Sequence, residues 1–167
     1  MSDQKTAEAL GLKFAPRDVF EVILEYAVIP TFDLVIEMPD RSGVVMARRI
    51  IKPYENLWAL PGLRIYKPEE IDDVLTRVAR QEVGLDIDIA SKRLLGQYVG
   101  KFETERQRQD ISTAYVVKAT SSTVTLNRDH FSSYQLVQGL AGVPQATGAM
   151  YRYYLTKYFG QAPQHRP

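Results

Sequence analysis

The sequence contains no cysteine and only two histidines, His130 and His165. That excludes a disulfide framework, a thiolate nucleophile and a Cys-based metal site, and it leaves too few imidazoles for a His-rich one. No apolar run approaches the length of a membrane span, and the opening residues MSDQKTAEALGLKF lack the basic start and apolar stretch of a secretory leader. Neither sign of charge is in excess: 21 Lys and Arg stand against 20 Asp and Glu, a net charge of +1. Such balance argues against a surface built to coat a polyanion, and no basic stripe interleaved with aromatics points to nucleic acid. These absences predict a soluble, cytoplasmic protein with neither nucleic acid nor membrane as partner.

What remains is globular. Hydrophobic residues make up 45% and charged residues 25% of 167 residues, enough for one domain with an ordinary core. Residues 1–16 are small and polar and read as a flexible arm, residues 17–160 as a single domain, and residues 161–167 as a tail. From Arg17, Val19, Ile23 and Ala27 recur at helical spacing with Phe20 and Leu24 beside them, predicting a short helix that ends before Pro30. The β-rich runs TFDLVIEM (31–38) and GVVMARRII (43–51) flank the turn cluster PDRSG and read as a hairpin. LRIY is a short strand, and Pro68 at a first helical position predicts a helix to about Val83, stopped by Gly84. Strands are expected at 93–102 and 110–120 and near the end of 121–137, and an aromatic helix at 148–159. Helix, strands, helix, strands, helix in that order favours an α/β (α+β) sandwich, a mixed sheet between helices.

One carboxylate in this pattern is out of place. On the central helix Ile71, Val74, Leu75 and Val78 form an apolar stripe, and Glu82 projects from its middle. Glu82 also sits at the helix C-terminus, where the dipole disfavours an anion by roughly 0.3–1 kcal/mol. A half-buried carboxylate needs a cation or donors. Early fraying of the helix, with Glu82 reaching water or an arginine, is the alternative.

The stretch GLRIYKPEEIDDVLTRVARQEVGL (62–85) resembles the Nudix box, G-x5-E-x7-R-E-U-x-E-E-x-G-U with U apolar. Glu69, Arg77, Glu82, Gly84 and Leu85 fall in register, while Leu63, Val78 and Gln81 replace a Gly and two Glu residues. The GDP-mannose mannosyl hydrolase branch of that family also lacks the glutamates at the positions of Val78 and Gln81. The likeness continues through PGLR, TFDLVIE, VVMARR and DISTAYVV, and covers most of residues 17–158.

The resemblance implies a Nudix-type α/β/α sandwich that cleaves a small-molecule nucleotide substrate, a nucleoside diphosphate linked to another moiety, with Mg²⁺ or Mn²⁺. Carried over by position, the Gly62 carbonyl and Glu82 would hold the metal, whose charge would offset burial of the Glu. Arg49, Arg64 and Arg77 match arginines of the branch and suit a diphosphate, whose charge guanidinium forks complement. For Arg77 an ion pair with Asp73, four residues earlier, is the competing assignment. Asp33 and Tyr115 match polar positions of the branch, and Asp33 and Arg49 are candidates for catalytic roles. Tyr115 has the alternative of a core residue with a bonded hydroxyl.

The loop LNRDHFSSY (126–134) departs from the pattern. Where the branch offers a metal-binding Gln and then a His base, this chain has His130 and Phe131. Phe131 takes no proton; His130 is a candidate metal ligand, a candidate base displaced by one residue, or an exposed loop imidazole. Three functions follow: a metal-dependent hydrolase of a nucleotide sugar or related diphosphate, a non-catalytic nucleotide- or partner-binding module, and a generic pyrophosphatase with an altered box. Nudix proteins often dimerise, which implies a homodimer; the aromatic closing helix is a candidate contact or an inward-facing core element.

Overall fold

The structure is a computed structural model and describes residues 3–161. Strand β1, Ile29–Glu37, is the axis of a mixed seven-stranded sheet. Along its whole length it pairs in parallel with β6, Gln109–Ala119, from Ile29 opposite Asp110 to Glu37 opposite Lys118. Its other edge is shared. The short β4, Gly62–Arg64, runs antiparallel to its first half with Gly62 opposite Asp33, and β2, Val44–Arg49, meets it only at Glu37 opposite Val44. The expected β1–β2 hairpin is therefore joined only beside its turn. β2 swings away to pair with β7, Phe131–Val137, and with β3, Trp58–Ala59. β5, Ile87–Lys101, closes the far edge against β6 and starts six residues before the predicted strand at 93.

Period-two alternation on β1 divides the interior. Phe32, Leu34 and Ile36 pack with Val74, Leu75 and Val78 of helix α3, Ile71–Val83. Val35 packs on the opposite face with Tyr151, Tyr154 and Leu155 of helix α4, Ala149–Gln161. Each such fully buried aliphatic or aromatic side chain contributes on the order of 1.5–3 kcal/mol. The aromatic residues of α4 thus pack mostly inward, with Tyr153 half exposed. The tail assigned to 161–167 lies outside the described residues apart from Gln161, the last residue of α4.

α3 starts later than Pro68 suggests. Glu70 is its N-cap, and a reciprocal capping box with Asp73 closes its first turn, so Pro68 lies outside the helix and Ile71 is left partly exposed. Its other end follows the expectation. Gly84 adopts φ 66° and donates to the carbonyls of Ala79 and Arg80. A Cβ at Gly84 would also lie 2.8 Å from the Thr125 side chain, so glycine is required twice over.

Helix α2, Arg17–Tyr26, ends before Pro30 as the spacing predicts. Residues 1–16, legible only as a loose arm, contain helix α1, Asp3–Ala9, with Ala7 buried beneath it. No helix among the described residues is long and apolar enough to cross a membrane.

Candidate active site

At the end of the sheet where β4 joins β1, a cavity of about 210 Å³ gathers Asp3, Asp33, Arg49, Gly62, Arg64, Glu82, Asp110 and His130. α3 delivers Glu82, which is fully buried. Its Oε1 lies 2.6 Å from His130 Nδ1 and 3.3 Å from Asn127 Nδ2. Its Oε2 is a buried oxygen with no hydrogen-bond partner among the described residues. Leaving one buried carboxylate oxygen unpartnered costs free energy that the contacts at Oε1 offset only in part.

Backbone contacts hold the loop that brings His130 there. Thr125 N–H donates to the Val83 carbonyl and Asn127 N–H to the Glu82 carbonyl, each at 2.9 Å. These bonds satisfy carbonyls that a helix C-terminus otherwise leaves open. His130 is buried, so the exposed loop imidazole does not hold. Its second nitrogen, Nε2, faces Asp3 Oδ2 of α1 at 3.3 Å. Burial works against the imidazolium, but hydrogen bonds and charge from Asp3 and Glu82 outweigh it and raise the His130 pKa to about 10. With a carboxylate at each nitrogen, His130 offers no lone pair in this arrangement. Phe131 is fully buried in the α3-side core, away from the cavity.

Asp33 stands on the cavity wall with Gly62 directly opposite, and a Cβ at residue 62 would lie 2.0 Å from Asp33 Oδ1. Glycine here makes room for the carboxylate. Ser112 Oγ donates to Asp33 Oδ2 at 2.5 Å, and Tyr154 OH donates to Ser112 Oγ at 2.9 Å. Burial pushes the Asp33 carboxyl up to about 7, against the pull of the Ser112 hydrogen bond and the Arg49 charge. Asp110, missed in the sequence, lines the same wall and receives Arg108 Nε at 2.7 Å. Its signal was there: Asp110, Ser112 and Ala114 share one strand face, polar at the entrance and apolar within.

The arginines divide. Arg49 is buried with its guanidinium anchored on the carbonyls of Pro53 and Lys52, whereas Arg48 is exposed. The Arg64 guanidinium lies 3.8 Å over the Phe20 ring, with Phe14 and Tyr66 at 5.1 and 5.0 Å. This aromatic cage holds it by cation–π attraction. Arg77 does not line this cavity. It forms a bidentate pair with Glu69, at 2.5 and 2.9 Å, and donates to the Arg64 carbonyl at 2.8 Å. Its partner is Glu69 rather than Asp73, which caps the helix instead. Tyr115 also lies outside the cavity wall, stacked on Phe32 at 6.4 Å between ring centroids.

As for a metal, Glu82 Oε2 is a hard oxygen with no hydrogen-bond partner among the described residues, and that fits a cation. Among the described residues no group of three or more His, Asp or Glu could hold an ion alone. A cation here would take its remaining ligands from backbone carbonyls, water or substrate.

Comparison with known proteins agrees with this architecture. The family model described as NUDIX domain matches residues 29–155. The low-salt glycan biosynthesis protein Agl8 of Haloferax volcanii is 32% identical over 130 residues, 78% of this chain and 80% of that one. Among solved structures, the MutT NUDIX hydrolase from Burkholderia pseudomallei superposes with a TM-score of 0.64 at 17% identity, over 77% of this chain and 97% of that one. The NUDIX domain of Shewanella oneidensis NrtR, solved in complex with ADP ribose, gives a TM-score of 0.64 at 16% identity, over 95% and 97% of the two chains.

Proposed function

This chain belongs to the Nudix family, and from that premise we propose that it is a divalent-metal-assisted hydrolase of a nucleoside diphosphate-linked substrate, a nucleotide sugar. The observation that carries the reading is the unpartnered Glu82 Oε2, fully buried at a cavity that also presents Arg49 and Arg64. The glycan-biosynthesis name of the Haloferax relative and the ADP ribose held by the NrtR domain support the same substrate class.

Glu82 and the Gly62 carbonyl would hold Mg²⁺ or Mn²⁺ together with the substrate's phosphates, and the ion would supply charge to the diphosphate leaving group. Arg49 and Arg64 meet the same charge from fixed positions, one anchored on carbonyls and one caged by rings. Asp33, with a pKa of about 7, is able to hold or release a proton at Oδ1 near neutral pH. His130 fixes the orientation of Glu82 through Oε1, so that Oε2 is the oxygen left for the ion. Arg77 acts on the framework, joining Glu69 to the strand that carries Arg64.

The buried Phe131 and the doubly engaged His130 favour a second reading, a nucleotide-binding module without turnover. Product release from a panel of nucleotide sugars and dinucleoside diphosphates, with Mg²⁺ or Mn²⁺, separates the two. Metal-dependent turnover supports the hydrolase; binding without turnover on any substrate supports the module. A homodimer in the cytoplasm completes the reading, and sedimentation at micromolar concentration tests the copy number.

A further inference from the structure

β1 and β6 run in parallel with Ile29 opposite Asp110, so the segments that lead into them leave the same end of the sheet. One is α2; the other is the tip of the β5–β6 hairpin, residues 102–108. Both reach the candidate cavity. α2 contributes Phe20 to its wall, and the hairpin contributes Phe102 and Arg108. One side chain of the hairpin grips the helix. Arg106 donates through Nη1 to Glu25 Oε2 at 3.0 Å and through Nη2 to Glu21 Oε2 at 3.1 Å.

An isolated ion pair at a surface contributes little. Three features set this one apart. Glu21 and Glu25 stand one helical turn apart, and like charges at that spacing repel unless a cation lies between them. The row beside them turns inward: Leu24 is buried, and Phe20 lies under the Arg64 guanidinium. A grip on the outer row therefore sets the position of the inner one. It acts on a helix with a small buried face, since Val19, Val22, Ile23 and Tyr26 are exposed. Finally, Glu105, Arg106 and Gln107 all hold positive φ, at 54°, 58° and 56°. Residues with a Cβ rarely adopt this conformation, and three in succession persist where the surroundings dictate it. The tip is anchored at its base by Arg108 Nε on Asp110 Oδ1 at 2.7 Å, and at its summit by the Arg106 fork on α2.

We propose that Arg106 is a positioning residue for substrate binding. By gripping Glu21 and Glu25 it latches α2 to the hairpin tip and fixes the separation of the two cavity walls. This rests on the nucleoside diphosphate reading and adds a residue that acts from outside the cavity, through Phe20. Glu82 and Asp33 are held by α3 and β1, and the latch leaves them where they are. Its three charged groups are half exposed, so salt weakens it.

The test measures calorimetric affinity of the full chain for GDP and for ADP, each with Mg²⁺, at about 0.15 M salt, where long-range charge effects are screened. The proteins are wild type, Arg106→Gln, Arg106→Lys, Glu21→Gln combined with Glu25→Gln, and the triple variant. If Arg106→Gln leaves the rim latched in about one molecule of five, it holds the diphosphate that wild type binds about five-fold more weakly. Arg106→Lys should recover part of that loss, and melting temperatures should hardly move. The double glutamate variant should lose as much as Arg106→Gln, and adding Arg106→Gln to it should cost nothing further. Amide exchange across residues 17–26 should quicken in Arg106→Gln. Equal affinity in all five proteins overturns the latch and leaves the nucleotide reading standing. A further loss on adding Arg106→Gln to the double glutamate variant also overturns it, because Arg106 would then touch the nucleotide itself. Failure of wild type to bind either diphosphate overturns both.

Discussion

Glu82 Oε1 and His130 Nδ1 lie 2.6 Å apart, joining the last turn of α3 to the residue that precedes β7. This pair turns Glu82 so that one oxygen is bonded and the other is bare. Glu82→Gln keeps the shape and removes the charge. In wild type, Mg²⁺ with a bound nucleotide sugar is expected to raise the melting temperature, because a ligand specific to the native state stabilises it. Glu82→Gln should lose that increment, and turnover should fall on the order of 10²–10³-fold. Differential scanning fluorimetry with and without chelator reads the first effect, and product release the second.

Gly62 and Asp33 compete for one space. Gly62→Ala should destabilise the protein by about 1–3 kcal/mol, the usual cost of overpacking. Placing it on an Asp33→Ala background should recover part of that loss, with a coupling of about 0.5–3 kcal/mol. Urea unfolding of the four proteins in the cycle gives the number. Strict additivity would mean that the two residues do not contend.

Arg77 and Glu69 are both buried, with side chains 5% and 4% exposed. Arg77→Ala strands Glu69 and is expected to cost about 3–5 kcal/mol, whereas replacing both by apolar residues of similar volume should cost much less. The fraction that folds should bind substrate nearly normally. A large rise in KM without loss of stability would instead return Arg77 to the diphosphate.

Phe20 supports Arg64 from a different helix. Phe20→Ala removes the closest ring of the cage, worth about 1 kcal/mol. KM for a nucleotide sugar should rise about five-fold with kcat unchanged, the signature of lost uniform binding. Steady-state kinetics at saturating metal checks it. A fall in kcat at unchanged KM would assign the cage to the transition state.

The central helix was legible because its apolar spacing, its glycine stop and the misplaced Glu82 are all local signals. So were β1, a nearly continuous β-rich buried run, and β6, whose alternation is strong. The partner of β2 was not legible, because chain proximity favours a hairpin while the edge of β1 is taken by the distant β4. The partner of Arg77 was missed for a related reason. Counting along a helix offers Asp73, but Glu69 lies in the turn before the helix and folds back eight residues. α1 escaped notice because its seven residues, DQKTAEA, bury one alanine and present no stripe. Asp3 finds its partners only once Gln81 and His130 have been assembled opposite it.

Beside the side-chain contacts of Asn127 and His130 with Glu82, two of the bonds that attach the 125–130 loop to α3 run between main-chain groups: Thr125 to Val83, Asn127 to Glu82. Such bonds are blind to side-chain identity. The loop therefore tolerates exchange of the residues it displays while their position against Glu82 stays fixed. Here a protein lineage is able to change what a site does by editing a few letters, with no cost to the frame that holds them.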